Sequence, residues 1–223
     1  MATYDLEEQE QIAEIKAWWK QYGALLAGLV TAASIAVVAW QGWNWYQRDQ
    51  AAQAARVYGV LQKAVADNDS QRLKAASGEL LEKFAGTGYA PLAALTAARV
   101  MFDAGDVKTA KLQLAWVVEN GKGELRELAR LRLAALLLDE KAYDEALKQL
   151  DGTPSAHFAP RFADSRGDVF AAQGRIAEAR AAYQSVLAAL ERSEAGTEAQ
   201  ERPSKAAYRE SVQLKLDALG EPA

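Results

Sequence analysis

Three segments of the chain repeat one spacing of residues: G-D-V-K-T-A-K-L-Q-L at 105–114, K-A-Y-D-E-A-L-K-Q-L at 141–150 and G-R-I-A-E-A-R-A-A-Y at 174–183. Each begins with a turn residue, has Ala five residues later and ends with a large apolar residue nine residues after the turn. The segments are offset by 36 and 33 residues. Periods of this length are typical of supersecondary units that stack on one another to bury a continuous core.

A second helix is predicted upstream of each segment. It carries a small residue seven positions before the turn and a bulky residue four positions before it. The small residues are Ala98, Ala134 and Gly167, and the bulky ones are Met101, Leu137 and Phe170. Two helices that cross closely need small side chains at the crossing and large ones in the groove beside it. Each unit is therefore predicted to be a helical hairpin.

This spacing resembles the tetratricopeptide repeat, and the unit at 160–190 fits best. The early Trp of that repeat is replaced by Ala94, Arg130 and Ala163, so the repeats are degenerate. We expect a capping hairpin at 49–66 and 70–84 before the three units, and a closing helix from Pro203 to about residue 219. The predicted fold is all-α: one transmembrane helix followed by an α-solenoid of degenerate tetratricopeptide-like hairpins.

Residues 21–47 contain no Asp, Glu, Lys or Arg. If residues 23–46 are helical, they span about 36 Å at about 1.5 Å per residue, which is enough to cross a bilayer core about 30 Å thick. Aromatic residues flank the segment, as expected at the headgroup level: they are Trp18, Trp19 and Tyr22 on one side and Trp40, Trp43, Trp45 and Tyr46 on the other. We predict an acidic cytoplasmic tail at 1–20, in which 6–19 is helical, a transmembrane helix at 21–47 and a domain at 48–223.

A cleaved signal peptide does not fit this N-terminal region, because the residues before the apolar segment are acidic and the apolar segment is too long. Within it, small residues recur every four positions, at Ala24, Gly28, Ala32 and Ala36. Such a stripe lets another helix approach closely in a membrane. The alternative is that Ala and Gly are simply frequent in this segment.

The composition indicates a binding protein and not an enzyme. The chain has 26 basic and 30 acidic residues, two and five of which lie in the first 20, so the remainder is nearly neutral and gives no electrostatic case for nucleic acid. There is no Cys and a single His, His157, in a predicted surface loop. These residues make neither a typical transition-metal site nor a catalytic pair, and we expect no cofactor.

The resemblance to the tetratricopeptide repeat implies that the first helix of each hairpin lines a groove that binds partner proteins. The groove positions are Leu92, Leu95, Arg99, Phe102 and Asp103, then Leu128, Leu131, Leu138 and Asp139, then Arg161, Asp164 and Asp168. Leucines and a phenylalanine on such a surface suit peptide segments. The alternative is that a short solenoid folds over and buries these leucines itself.

Nearly the whole chain resembles the YfgM family of ancillary subunits of the bacterial SecYEG translocon. The resemblance rests on I-K-A-W-W at 15–19, T-G-Y-A-P-L-A-A-L at 87–95, D-S-R-G-D at 164–168 with Gly174, and V-Q-L-K-L-D-A-L at 212–219. It implies a single-span inner-membrane protein with a cytoplasmic N-terminus and a periplasmic C-terminal domain. The implied partners are SecYEG, the membrane-anchored prolyl isomerase PpiD and secreted client proteins, which it assists in a chaperone-like hand-over. The alternative is a scaffold that tethers cell-wall or outer-membrane machinery.

Overall fold

The computed structural model describes residues 4–194 and 202–220, and all regular secondary structure in these two ranges is helical. The helices are α1 (Tyr4–Ala66), α2 (Ser70–Lys83), α3 (Tyr89–Asp103), α4 (Val107–Asn120), α5 (Gly123–Asp139), α6 (Tyr143–Gln149), α7 (Ala159–Ala172), α8 (Ile176–Glu194) and α9 (Arg202–Ala218). The all-α prediction is confirmed for this part of the chain.

Helix α1 joins three stretches that the sequence suggests as separate helices. No proline occurs before Pro91, so nothing in residues 4–66 removes a helical hydrogen bond or forces a kink. The chain divides into two compact units, Met1–Gln53 and Ala54–Ala223. Within α1, residues Gln11–Ala66 contain an 18-residue window of mean hydropathy 2.0, of which 6% is buried. This helix is long and apolar enough to cross a membrane.

In the second unit the turn residues of the three repeated segments share one backbone conformation. Gly105, Lys141 and Gly174 have φ values of +80°, +60° and +73°, which lie in the left-handed region. Each ends the first helix of a hairpin and lets the chain reverse into the second. Asp106 then accepts a hydrogen bond from the backbone N–H of Thr109 at 3.1 Å and caps α4. The hairpins α3–α4, α5–α6 and α7–α8 follow the predicted register.

Small residues lie where the paired helices pack together. Ala98, Ala134, Ala110 and Ala146 are buried in one core that extends from Ala54 to Val169. A second core contains six buried residues, and Val212 of α9 closes it. The six are Ala163, Ala179, Tyr183, Val186, Leu190 and Val212. Tyr208, Leu216 and Leu219 of α9 pack against this second core, as predicted for the closing helix.

Ion pairs link α2 to the start of α4 and α4 to the end of α5. Lys74 of α2 donates to the Asp106 carboxylate at 2.7 Å, and Lys111 of α4 donates to Glu140 at 2.6 Å. The hydrogen bonds from Lys74 and Thr109 lower the pKa of Asp106 to about 2. Asp106 therefore stabilises the fold at neutral pH, and its contribution is lost as the pH falls from about 4 towards 2.

Gly167 allows a test of the close helix crossing between α7 and α8. A Cβ atom at this position would lie 2.4 Å from the buried ring of Tyr183. We expect Gly167→Ala to lower the free energy of unfolding by about 1–3 kcal/mol, because the ring cannot move without disturbing the core. Denaturant unfolding of the full chain in detergent micelles, followed by far-UV circular dichroism, measures this change.

Gly78→Ala in α2 is the matched control, since a Cβ atom there meets nothing within 4 Å. This substitution should raise the free energy of unfolding by about 0.5–1 kcal/mol through helix propensity alone. Equal effects of the two substitutions would contradict the close crossing.

Candidate functional site

Three adjoining cavities lie along the first helices of the hairpins, and together we call them the groove. The largest, about 910 Å³, is lined mainly by α3 and α5. A second of about 340 Å³ contains Phe102 and Asp139. A third of about 530 Å³ lies between α5, α7, α9 and the loop before α7. Arg132 of α5 lines all three cavities.

Most of the residues predicted for the groove line these cavities. Leu92, Leu95, Arg99 and Leu128 line the first cavity, and Phe102 lines the second beside Arg99. Leu131, Arg161 and Asp164 line the third. Phe102 is 46% exposed and Leu92 39% exposed, whereas Leu95 is only 6% exposed and also forms part of the core.

Two predicted groove residues lie elsewhere. Leu138 is partly buried and packs against the larger core, and it lines none of the three cavities. Asp168 also lies outside them. Its carboxylate accepts a hydrogen bond from the Tyr183 hydroxyl at 2.8 Å and another from the Lys215 ammonium at 2.9 Å. Both residues are therefore used in packing the domain.

The Lys215 ammonium of α9 connects the last helix to α7. It donates to Asp164 at 2.8 Å as well as to Asp168. Burial lowers the pKa of Lys215, but its hydrogen bonds to the two carboxylates raise it overall. Burial and the bond to Asp168 also raise the pKa of the Tyr183 hydroxyl. One wall of the third cavity is thus fixed by a charged network between α7, α8 and α9.

The third cavity is also lined by residues that are not predicted from the sequence, among them Arg132, Ala135, His157 and Tyr208. Arg132 lies four residues after Leu128 and Ala135 lies four after Leu131, so helical spacing alone could have found both. His157 is in a loop, as predicted, but it lines the third cavity. Its ring lies 5.4 Å from that of Phe158 in an edge-on arrangement.

The loop before α7 is held in place by Glu127 of α5. The Glu127 carboxylate accepts hydrogen bonds from the backbone N–H and the hydroxyl of Ser155, each at 2.7 Å. These bonds lower the pKa of Glu127, and the nearby charges of Arg130 and His157 add to the effect. Because Glu127 fixes Ser155, it also positions His157 and Phe158 at the edge of the third cavity.

The groove combines an apolar lining with guanidinium groups. Among the side chains that are described, those of residues 11–192 and 204–220, no group of three or more His, Cys, Asp or Glu could hold a metal ion. The groove offers leucines, alanines and two phenylalanines, with guanidinium groups from Arg99, Arg132 and Arg161. Such a surface can hold an apolar peptide segment and pair with its charges.

The small-residue stripe of the apolar segment is open in α1. Ala24, Gly28, Ala32 and Ala36 are all exposed, and a Cβ atom added at Gly28 would meet nothing within 4 Å. The hydroxyls of Thr31 and Ser34 donate to backbone oxygens of Ala27 and Val30, each at 2.8 Å. Contact of the stripe with another membrane helix stays a prediction.

The fold and the groove define a helical-repeat binding protein with one N-terminal helix long enough to cross a membrane. The family model described as a tetratricopeptide repeat-like domain matches residues 16–221. An ancillary SecYEG translocon subunit of Neisseria gonorrhoeae is 33% identical over 219 residues, which cover 96% of this chain and 98% of that protein.

Proteins with the same name in two other bacteria are also similar. The one from Escherichia coli K12 is 30% identical over 98% of this chain and 99% of its own length, and the one from Haemophilus influenzae is 27% identical over 82% and 89%. The chain belongs to the family of these proteins, the YfgM family of tetratricopeptide repeat-like proteins.

A substitution at Phe102 tests whether this residue belongs to the groove or to the core. Because Phe102 is 46% exposed, Phe102→Ala should leave the melting temperature nearly unchanged. Its loss should weaken partner binding by about 1–3 kcal/mol, as for an anchor side chain of an interface. Circular dichroism melting and pull-down of bound proteins from detergent extracts, both with the full chain, measure the two effects.

Phe162→Ala serves as the contrast, since Phe162 is fully buried. We expect it to lower the free energy of unfolding by about 3–5 kcal/mol. A drop of several degrees in the melting temperature of Phe102→Ala would place Phe102 in the core and remove it from the groove.

Proposed function

We propose that this protein is an ancillary subunit of the SecYEG translocon that binds partner proteins through the groove and assists secreted proteins as they emerge. Helix α1 anchors it in the inner membrane. The observation that carries the proposal is the similarity over nearly the whole chain to proteins named ancillary SecYEG translocon subunits. The groove supplies a surface on which such binding can occur.

The groove supports a role in holding polypeptide segments. Leu92, Leu128 and Leu131 are partly or well exposed along it, and Phe102 adds an aromatic ring at one end. Apolar side chains on such a surface lose contact with water when a peptide covers them, and this stabilises the complex by roughly 25 cal/mol per Å² of buried apolar area. Many different secreted segments contain suitable apolar residues, so this recognition suits a broad range of clients.

The second partner that we propose is a PpiD-like prolyl isomerase anchored in the same membrane. The support for it is the family resemblance of the sequence. A prolyl isomerase acts on X–Pro bonds, whose uncatalysed isomerisation takes tens to hundreds of seconds. A binding protein without enzymatic activity, next to such an isomerase, would hold a client while the slow step is catalysed.

The groove assignment is tested by site-specific photocrosslinking in inner membranes. A benzoyl-phenylalanine at Phe102 or Leu131 should form adducts with translocon subunits, the PpiD-like protein or secreted chains. The control position is Leu112 of α4, which is 63% exposed and lines none of the three cavities. Equal adducts from Leu112 would refute the groove as the binding surface, and adducts with cell-wall synthases alone would instead favour the envelope scaffold.

We also propose that the N-terminus is cytoplasmic and that the repeat domain lies in the periplasm. Lys16 and Lys20 precede the apolar segment while Arg48, Arg56 and Lys63 follow it, so the local positive charges do not decide the orientation. Large domains translocate largely regardless of such charges. The support is again the family resemblance.

Protease accessibility tests this orientation. Protease added to intact spheroplasts should digest the repeat domain and leave the N-terminal tail protected. A repeat domain that survives while a known periplasmic control is cleaved would reverse the orientation. Detection needs one tag at each end of the full chain, so that the two fragments are told apart.

A further inference from the structure

Arg132 is the charged group that every part of the groove shares. Its side chain lines all three cavities, and it is exposed. Within the residues whose side chains are described, 11–192 and 204–220, it makes no hydrogen bond or ion pair. A guanidinium is a planar fork of five N–H donors that matches the two oxygens of a carboxylate.

The carboxylates around the groove do not neutralise Arg132. Asp164 accepts a hydrogen bond from Lys215 at 2.8 Å and shares that ammonium with Asp168, so it is paired within the domain and not with Arg132. Asp103 forms an ion pair with Arg99 of the same helix, with 3.8 Å between their charged atoms. Asp139 lines only the second and smallest cavity. Among the described residues none of these carboxylates forms an ion pair with Arg132, so its guanidinium is available to a bound segment.

The guanidinium of Arg161, which also lines the groove, contacts an aromatic ring. The guanidinium of Arg161 lies 5.7 Å from the centre of the Tyr208 ring, at the far side of the third cavity. This stacking keeps Arg161 against the wall formed by α9. Arg132, between the first and third cavities, is the guanidinium that a bound segment would meet whichever cavity it entered from.

We infer that the groove selects peptide segments in which an acidic side chain lies between apolar residues. This inference rests on the function proposed above. The carboxylate pairs with Arg132, and the apolar side chains on either side contact Leu92 and Leu128 in the first cavity and Leu131 in the third. The carboxylate belongs to a side chain and not to a chain end, because apolar surface continues on both sides of Arg132. Charge complementarity thus adds selectivity to an otherwise permissive apolar surface.

Capped peptides that differ at one position test this inference. The probe is a fluorescein-labelled peptide, acetylated and amidated, with two leucines on either side of a central Glu, and its partner has Gln in place of that Glu. Fluorescence anisotropy with the full chain in detergent micelles should give about threefold to tenfold tighter binding for the Glu peptide, as expected for an ion pair that the bound peptide partly buries. Arg132→Gln should remove this ratio, and Arg132→Glu should reverse it in favour of a peptide with central Lys.

The ratio of the two peptides' affinities for one variant separates an effect of charge from an effect on folding. A misfolded variant would bind both peptides equally weakly. Arg72→Gln is the matched control, because Arg72 is exposed on α2 and lines none of the three cavities. The ratio of Glu-peptide to Gln-peptide affinity for this variant should equal that of the wild-type chain. Equal binding of the Glu and Gln peptides by the wild-type chain, a ratio that survives Arg132→Gln, or binding only with a free C-terminus would overturn the inference. Groove crosslinks in membranes would persist in that case, and the proposed function would stand without this selectivity.

Discussion

The close approach of the two helices in each hairpin is the constraint on which the rest of the domain depends. At Gly167 the backbone of α7 lies so close to the Tyr183 ring that no Cβ atom fits, and Ala98 and Ala134 are buried at the equivalent positions. The small residues of each first helix are thus covered by its second helix. The same first helices carry Leu92, Phe102 and Leu131, which line the groove beside these crossings. The groove therefore depends on how the hairpins pack.

One departure from the repeat pattern has a structural explanation. Arg130 occupies the position of the early Trp, and its guanidinium lies 5.2 Å from the centre of the Phe162 ring. It also donates to the backbone oxygen of Gln149 at 2.6 Å and to that of Asp151. Helix α6 ends at Gln149, where the last carbonyl groups lack helical partners and attract a cation. The arginine thus fills the space against the next hairpin and also caps a shortened helix.

The hairpins could be predicted from the sequence because their determinants are local. The turn residues at 105, 141 and 174 and the small residues around them are close in the chain, and each turn has the left-handed backbone that the spacing requires. The continuity of α1 was harder to predict, because a change of composition near residue 49 does not end a helix that contains no proline.

The composition of the groove could be predicted only in part. Periodicity identifies residues on one face of a helix, but it cannot tell which of them a distant element covers. Asp168 has the spacing of a groove residue, yet Lys215, 47 residues further along, binds it. Tyr208 lines the third cavity from α9, which shares no repeat register with α7. Repeat register therefore predicted several leucines of the groove, but not the contributions of α9 and of the loop before α7.

The ion pairs of Lys215 hold one wall of the groove, and their contribution to stability depends on pH. Its hydrogen bonds to Asp164 and Asp168 raise the pKa of Lys215 against the opposing effect of burial. The pairing therefore contributes fully to stability below the ordinary lysine pKa of 10.5 and is lost only as the pH rises through the higher value of the folded domain. Salt screens exposed charges, so the electrostatic part of recognition in the groove should weaken as the salt concentration rises.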